Sequence, residues 1–212
     1  MKKLFSSLIM LVLFQSGLVM ANPLQGAKVQ VEVIIFQSLA LRGWTEEYWP
    51  DFDGITSIAD TIRLGEPNNY AQLIEPSKYS LVEEVSKMTT DRGYDVLAHF
   101  AWQQPLQSNQ LAIPVLIEPT IQSRRAETSP LLGKIRLFQE RFIHAEVYLE
   151  LDRQIPVRIR ERFAEHQQIP ADWLPDSWRF KIDESRRMRY GQLHYLDHPI
   201  FGVLIKVDRV TQ

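Results

Sequence analysis

From Gly133 to Asp152 apolar and polar side chains alternate, and this alternation limits the possible folds more than any other feature of the chain. Ile135, Leu137, Ile143, Ala145, Val147, Leu149 and Leu151 share one parity, and Arg136, Glu140, His144, Glu146 and Glu150 the other. Period two belongs to a strand with one buried face; a helix would scatter these residues around its circumference. The run is about twice an ordinary strand, and its parity breaks at Gln139 and Arg141. Either a bent continuous strand or a tight hairpin is expected there.

The same period recurs elsewhere. VQVEVIIF (29–36) sets Val29, Val31, Val33 and Ile35 on one side, and its second half is apolar on both sides. YDVLAHFAW (94–102) sets Tyr94, Val96, Ala98, Phe100 and Trp102 on one face and His99 on the other, where a lone strand histidine reads as structural. LAIPVLIE (111–118) is a further strand, in which Pro114 argues for an edge position or a bulge. Residues 81–92 carry Leu81, Val82, Val85 and Met88 on one helical face, with Ser80 and Glu83 at capping-box spacing. Gly93 stands where a left-handed C-terminal cap belongs. Short polar steps between strands imply antiparallel pairing. The expected fold is α+β: a mainly antiparallel twisted sheet or partial barrel with one packed helix. Residues 119–130 read as an exposed loop. Polar, proline-punctuated residues 153–177 read as a surface excursion from a single domain, 22–212.

The N-terminus has the form of a secretory signal peptide, 1–21. Lys2 and Lys3 precede an apolar run from Leu4 to Phe14, and Val19-Met20-Ala21 suits cleavage before Asn22. The run falls short of the roughly 20 apolar residues that span a bilayer, and no later stretch reads as a span, so no stable membrane insertion is expected. Cleavage leaves about 190 residues, enough for a sizeable core. With no cysteine in the chain, disulfides, thiolate chemistry, cysteine-ligated metals and a lipid-modified N-terminus are all excluded. The formal charge of −2 becomes more negative once Lys2 and Lys3 are removed. Such a chain has no global electrostatic reason to bind nucleic acid or anionic lipid. Any anion recognition must be local.

The local candidates lie in SRRMRYGQLHYLDHPIFGVLIKV (185–207). Trp178–Tyr190 reads as a strand, Gly191 as a turn, and Phe201, Val203, Ile205 and Val207 as a second strand. The plainest reading is a hairpin whose arginines pair with glutamates of 140–150. His194, Asp197 and His198 offer a His-x3-His spacing, but Gly191 and Pro199 argue against the helix that zinc would need, and no metal is expected. The histidines would instead hold the turn, with Asp197 making a side-chain-to-backbone bond. No cysteine, G-x-S-x-G elbow or S-x-x-K with a companion motif supplies a nucleophile. The chain therefore reads as non-enzymatic, without a cofactor. What remains is recognition. Arg187 and Arg189 present planar forks suited to carboxylates, and Tyr195 and His198 add a flat ring and donors. The loop LALRGWTEEYWPDFDG (39–54) holds Trp44, Tyr48 and Trp49, which either plug a sheet end or offer ring faces to a sugar.

VEVIIF after the leader, Trp49-Pro50, the helix leading into GYDVLAHFAW and, above all, the stretch 185–207 resemble the CsiV family. These are periplasmic, peptidoglycan-binding, cell-shape-integrity proteins of gammaproteobacteria. The resemblance covers most of 29–118 and 134–207 and offers no counterpart for 153–177. It implies a non-enzymatic periplasmic protein that binds peptidoglycan. It also implies support for a bifunctional penicillin-binding protein through that synthase's outer-membrane lipoprotein activator. The alternative is a periplasmic scaffold that contacts only proteins. The site residues are physical readings: Arg187 and Arg189 for anions, Tyr195 for stacking with His198 beside it, and Trp44, Tyr48 and Trp49 as the second location.

Overall fold

The computed structural model describes residues 26–51, 57–118 and 131–210; the signal peptide and the 119–130 loop lie outside them. In chain order the strands are β1 (Lys28–Ser38), β2 (Gln72–Leu73), β3 (Tyr94–Pro105), β4 (Val115–Ile117), β5 (Leu131–Gln139), β6 (Ile143–Gln154), β7 (Ser177–Met188), β8 (Leu193–Leu196) and β9 (Phe201–Arg209). They form two sheets, ordered β2-β3-β1-β9-β8 and β4-β5-β6-β7, and every neighbouring pair of these strands is antiparallel. Val29, Val31, Val33, Ile35, Val203, Ile205 and Val207 of the first sheet share one buried core with Ile135, Leu137, Val147, Leu149, Phe180 and Ile182 of the second. Two sheets back to back over a common core make a sandwich. The expected α+β class, mainly antiparallel with a packed helix, is what forms, without closure into a barrel.

The long alternation is a hairpin: β5 and β6 pair from Leu131↔Leu151 to Gln139↔Ile143, with Glu140–Phe142 at the tip. Its parity break is the turn. Pro114 precedes an edge strand, the first of its two expected settings, though β4 keeps only Val115–Ile117 of 111–118.

β1 is apolar on both sides because both sides are covered. On its outer face Ile34 and Phe36 are buried with Leu81, against Val85, Met88, Val96 and Leu204. Val85 belongs to α1 (Val82–Lys87), which is shorter than 81–92; Thr90–Arg92 form a separate 3-10 turn that ends at Gly93 with φ 84°. The Ser80–Glu83 capping box does not form. Glu32 replaces it from β1: its carboxylate accepts from Ser80 N, Ser80 Oγ and Leu81 N at 2.8 Å each and pairs with His99 Nε2 at 2.9 Å. Burial alone would raise the Glu32 pKa, but these donors outweigh it and hold it below its ordinary value. His99 is thus a structural partner.

Three further local readings are corrected. The β1–β3 register steps from Ile35↔Ala98 to Phe36↔Val96, which leaves Leu97 as an extra residue. Such a bulge reverses side-chain parity. Ala98, Phe100 and Trp102 stay in the main core with Leu97, whereas Val96 joins the outer cluster and Tyr94 meets Phe36 on that face. The excursion 153–177 contains α2 (Arg160–Gln167), whose Phe163 is fully buried against Trp44 and Trp178 at one end of the sandwich. Finally, β7 and β9 are not hairpin partners. β7 pairs with β6 in the second sheet, the chain crosses at Gly191 (φ 72°), and β8 makes the hairpin with β9. No helix among the described residues is long and apolar enough to cross a membrane.

Candidate functional site: two recognition surfaces

The aromatic loop is mostly interior. Trp44 is fully buried and Trp49 is 6% exposed. Trp49 Nε1 donates to Trp44 O at 3.0 Å, and its ring packs on Phe180 and His198. Both tryptophans plug the sandwich end, so their faces are not open to a sugar; Tyr48, 65% exposed, is the accessible ring of the three.

The histidines hold the chain in place. His198 lies 4.8 Å from Trp49 and 5.0 Å from Phe201, ring centre to ring centre, and its Nδ1 accepts from Ile200 N at 3.1 Å. Burial pushes its pKa down to about 4 against the opposing pull of Asp197, so the ring is neutral near pH 7. His194 Nε2 accepts from Arg189 N at 3.2 Å, and burial, then Arg186 and Arg189, lower its pKa. The turn bond at 198–200 thus comes from His198 rather than Asp197, whose Oδ1 accepts from the Tyr195 hydroxyl at 2.5 Å. Among the described residues no group of three or more His, Asp or Glu is placed to hold a metal ion.

Arg187 and Tyr195 occupy opposite outer faces. Met188 and its partner Ile143 point into the core, so Arg187 and its partner His144 point outward from the second sheet. Arg187 does not pair with a glutamate of 140–150. Its guanidinium lies 3.5 Å from the centre of the Phe142 ring at the β5–β6 tip, and Arg141 approaches the same ring at 5.4 Å. Phe138 stacks on His144 at 5.2 Å and 12°. Glu146 is held by Arg136 at 2.8 Å, Glu150 accepts from Tyr148 at 2.8 Å, and Arg186 bonds Glu184 at 3.0 Å. Arg141, Arg187 and Arg189 are exposed and, among the described residues, have no carboxylate at ion-pair distance. Periodicity does not single out Arg141-Phe142; the available signal is a phenylalanine at a turn where polar residues belong.

Tyr195 lies on the outer face of the first sheet. Leu196 and its partner Val203 point into the core, which turns Tyr195 and Leu204 outward. The Tyr195 ring lies nearly parallel to Phe36 at 6.1 Å and 20°, while Tyr94 meets Phe36 edge-on at 5.5 Å. A Cβ on Gly202 would come within 2.7 Å of Tyr195 Cε2 and 2.9 Å of Phe36 Cζ. Burial, then the Asp197 carboxylate, hold the Tyr195 pKa well above the usual phenol range, so the hydroxyl stays a donor. Arg42, Glu46 and Asp197 join these rings around an open cleft of about 330 Å³.

The sandwich thus carries exposed guanidinium–aromatic contacts on one outer face and a half-exposed tyrosine on the other. The chain belongs to the CsiV family, described as peptidoglycan-binding protein, whose model matches residues 3–210. That span includes 153–177, which the resemblance left without a counterpart. No curated protein and no solved structure matches the chain.

Proposed function

We propose that this chain is a non-catalytic peptidoglycan-binding protein of the periplasm, exported by the cleaved signal peptide 1–21. We further propose that it supports cell-wall synthesis and cell-shape integrity through a bifunctional penicillin-binding protein and that synthase's outer-membrane lipoprotein activator. Family membership over nearly the whole chain carries the reading. The arginine tip supports it chemically. Peptidoglycan stem peptides carry carboxylates, and a guanidinium binds a carboxylate through two parallel N–H donors. Stacking on Phe142 restrains the Arg187 fork before a ligand arrives, which lowers the entropy lost on binding.

The test is sedimentation of the purified mature protein, beginning at Asn22, with isolated sacculi. Wild type is expected in the pellet. Charge-assisted hydrogen bonds contribute roughly 1.5–3 kcal/mol, so Arg187→Ala combined with Arg189→Ala should weaken binding by about tenfold or more. Melting should fall only slightly, because neither side chain has a carboxylate partner to lose and the exposed Arg187–Phe142 contact contributes at most about 1 kcal/mol. Variants that melt lower and bind normally would make the arginines scaffold. Wild type left in the supernatant would favour a scaffold that contacts only proteins. Recovery of the intact chain in the membrane pellet would overturn the cleaved leader.

A further inference from the structure

We infer that Tyr195, with Tyr94 beside it, forms a second subsite that stacks the apolar face of a sugar ring in the glycan strand. This rests on the peptidoglycan reading and assigns the sugar to the opposite face of the molecule from the arginines.

The geometry at Tyr195 differs from that of an ordinary strand residue. Side chains of a strand normally stand away from the sheet. Tyr195 lies down across β9 instead, and it can do so because position 202 has no side chain; a Cβ there would collide with its ring at 2.7 Å. Phe36 lies alongside the ring, nearly parallel to it at 6.1 Å between centres, and Asp197 accepts from the hydroxyl. The ring is therefore immobilised before any ligand arrives, with 46% of the residue open to solvent. Preorganisation of this kind lowers the entropy lost on binding. A leucine would cover Phe36 as well, so covering the sheet does not require a locked ring. The Leu97 bulge adds the second ring by moving Tyr94, 40% exposed, onto the same face.

The rim narrows the class of ligand. Arg42 is already paired with Glu46 at 3.3 Å, and Asp197 adds a second carboxylate. Two carboxylates against one guanidinium disfavour a peptide rich in carboxylates, yet they suit hydroxyls and acetamido N–H groups. The cleft is open to solvent and, at about 330 Å³, at the low end of ligand-site volumes, which run from roughly 300 to 1,000 Å³. An open trough of this size fits part of a continuous polymer better than an enclosed small molecule. The apolar C–H face of a sugar packs on a tyrosine ring while the hydroxyls at its edge reach the rim.

The experiment uses glycan strands freed of stem peptides by amidase digestion of sacculi, with the lactyl carboxylates that digestion exposes capped as methyl amides so that the strands are uncharged, titrated against the mature protein. Wild type should bind these strands. Tyr195→Leu, which keeps an apolar cover over Phe36, should weaken binding by about tenfold. Tyr195→Phe, which keeps the ring but frees it from Asp197, should weaken binding less than Tyr195→Leu. Gly202→Ala, which displaces the ring, should behave like Tyr195→Leu. Arg42→Ala removes a rim donor for sugar oxygens and should weaken strand binding while barely lowering the melting temperature, since its exposed pair with Glu46 contributes little to stability, so the test survives if Tyr195→Leu folds poorly. Arg187→Ala should leave strand binding intact. Binding of wild type to whole sacculi but not to peptide-free strands would overturn the subsite and spare the peptidoglycan reading. So would wild-type strand affinity in Tyr195→Leu and Arg42→Ala alike. Failure of wild type to bind whole sacculi would sink both.

Discussion

His198 shows how one side chain exchanges the role suggested by its chemistry for a role in packing. Its neighbours Trp49, Phe180 and Phe201 remove the water a charged imidazole needs, and Asp197 offsets this only in part. The ordinary histidine pKa of 6.5 falls to about 4 in the fold. Between those values the unfolded chain binds the proton more readily, so stability falls as pH falls through that window and is fully present above it. The loss across the window amounts to about 3 kcal/mol at most. Urea melts of wild type and His198→Asn between pH 7 and pH 4 test this. Asn retains an acceptor for Ile200 N, so the variant should be less stable at pH 7 but show a flatter pH dependence over the window.

Among the elements, α2 carries the clearest consequence. It has eight residues, of which Phe163, Ala164 and Gln167 are buried. Phe163 meets Trp44 and Trp178 edge-on at 5.3 Å each. Aromatic pairs of this geometry add to the area they bury, and no polar group of Phe163 competes. Phe163→Ala should cost about 3–5 kcal/mol, read as a lower midpoint in chemical denaturation. Because the lesion lies at the plugged end, away from Arg187 and Phe142, sacculus binding through that face by the folded fraction should hold. Loss of binding at full folding would mean that this end contributes to the site.

At the scale of the molecule, both sheets share one core: Val31 and Ile205 of the first sheet are buried in the same cluster as Leu149 and Phe180 of the second. Removing either sheet would expose the inner face of the other. Unfolding should therefore be a single cooperative transition, with tryptophan fluorescence, dominated by buried Trp44, Trp49, Trp102 and Trp178, coinciding with far-UV circular dichroism. Two separated transitions would show that the sheets unfold independently. The shared core uses only the inner faces; α1 and the preceding Leu81 cover Ile34 and Phe36 on part of the first sheet's outer face, which leaves the region around Tyr195 and the outer face of the second sheet to a ligand.

Local sequence was sufficient for the main strand identities, the antiparallel class and the structural role of His99; it marked the break at 139–141 and the special position of Pro114 but left hairpin or bend, and edge or bulge, open. Each follows from periodicity or backbone chemistry within a few residues, the range over which side-chain parity is locally set. The remaining features depend on contacts between distant parts of the chain. The Leu97 bulge leaves no mark in the apolar pattern, because β3 is apolar on both faces there, so simple alternation puts Tyr94 on the wrong side. Glu32 displaces the local capping box because a buried carboxylate must find donors, and Ser80 and Leu81 supply them from 48 and 49 residues away. The residues 187–198 are adjacent in sequence, yet Gly191 carries the chain from one sheet to the other and sets Arg187 and Tyr195 on opposite faces. Sequence proximity cannot report that separation, because which sheet a strand joins depends on partners far away in the chain.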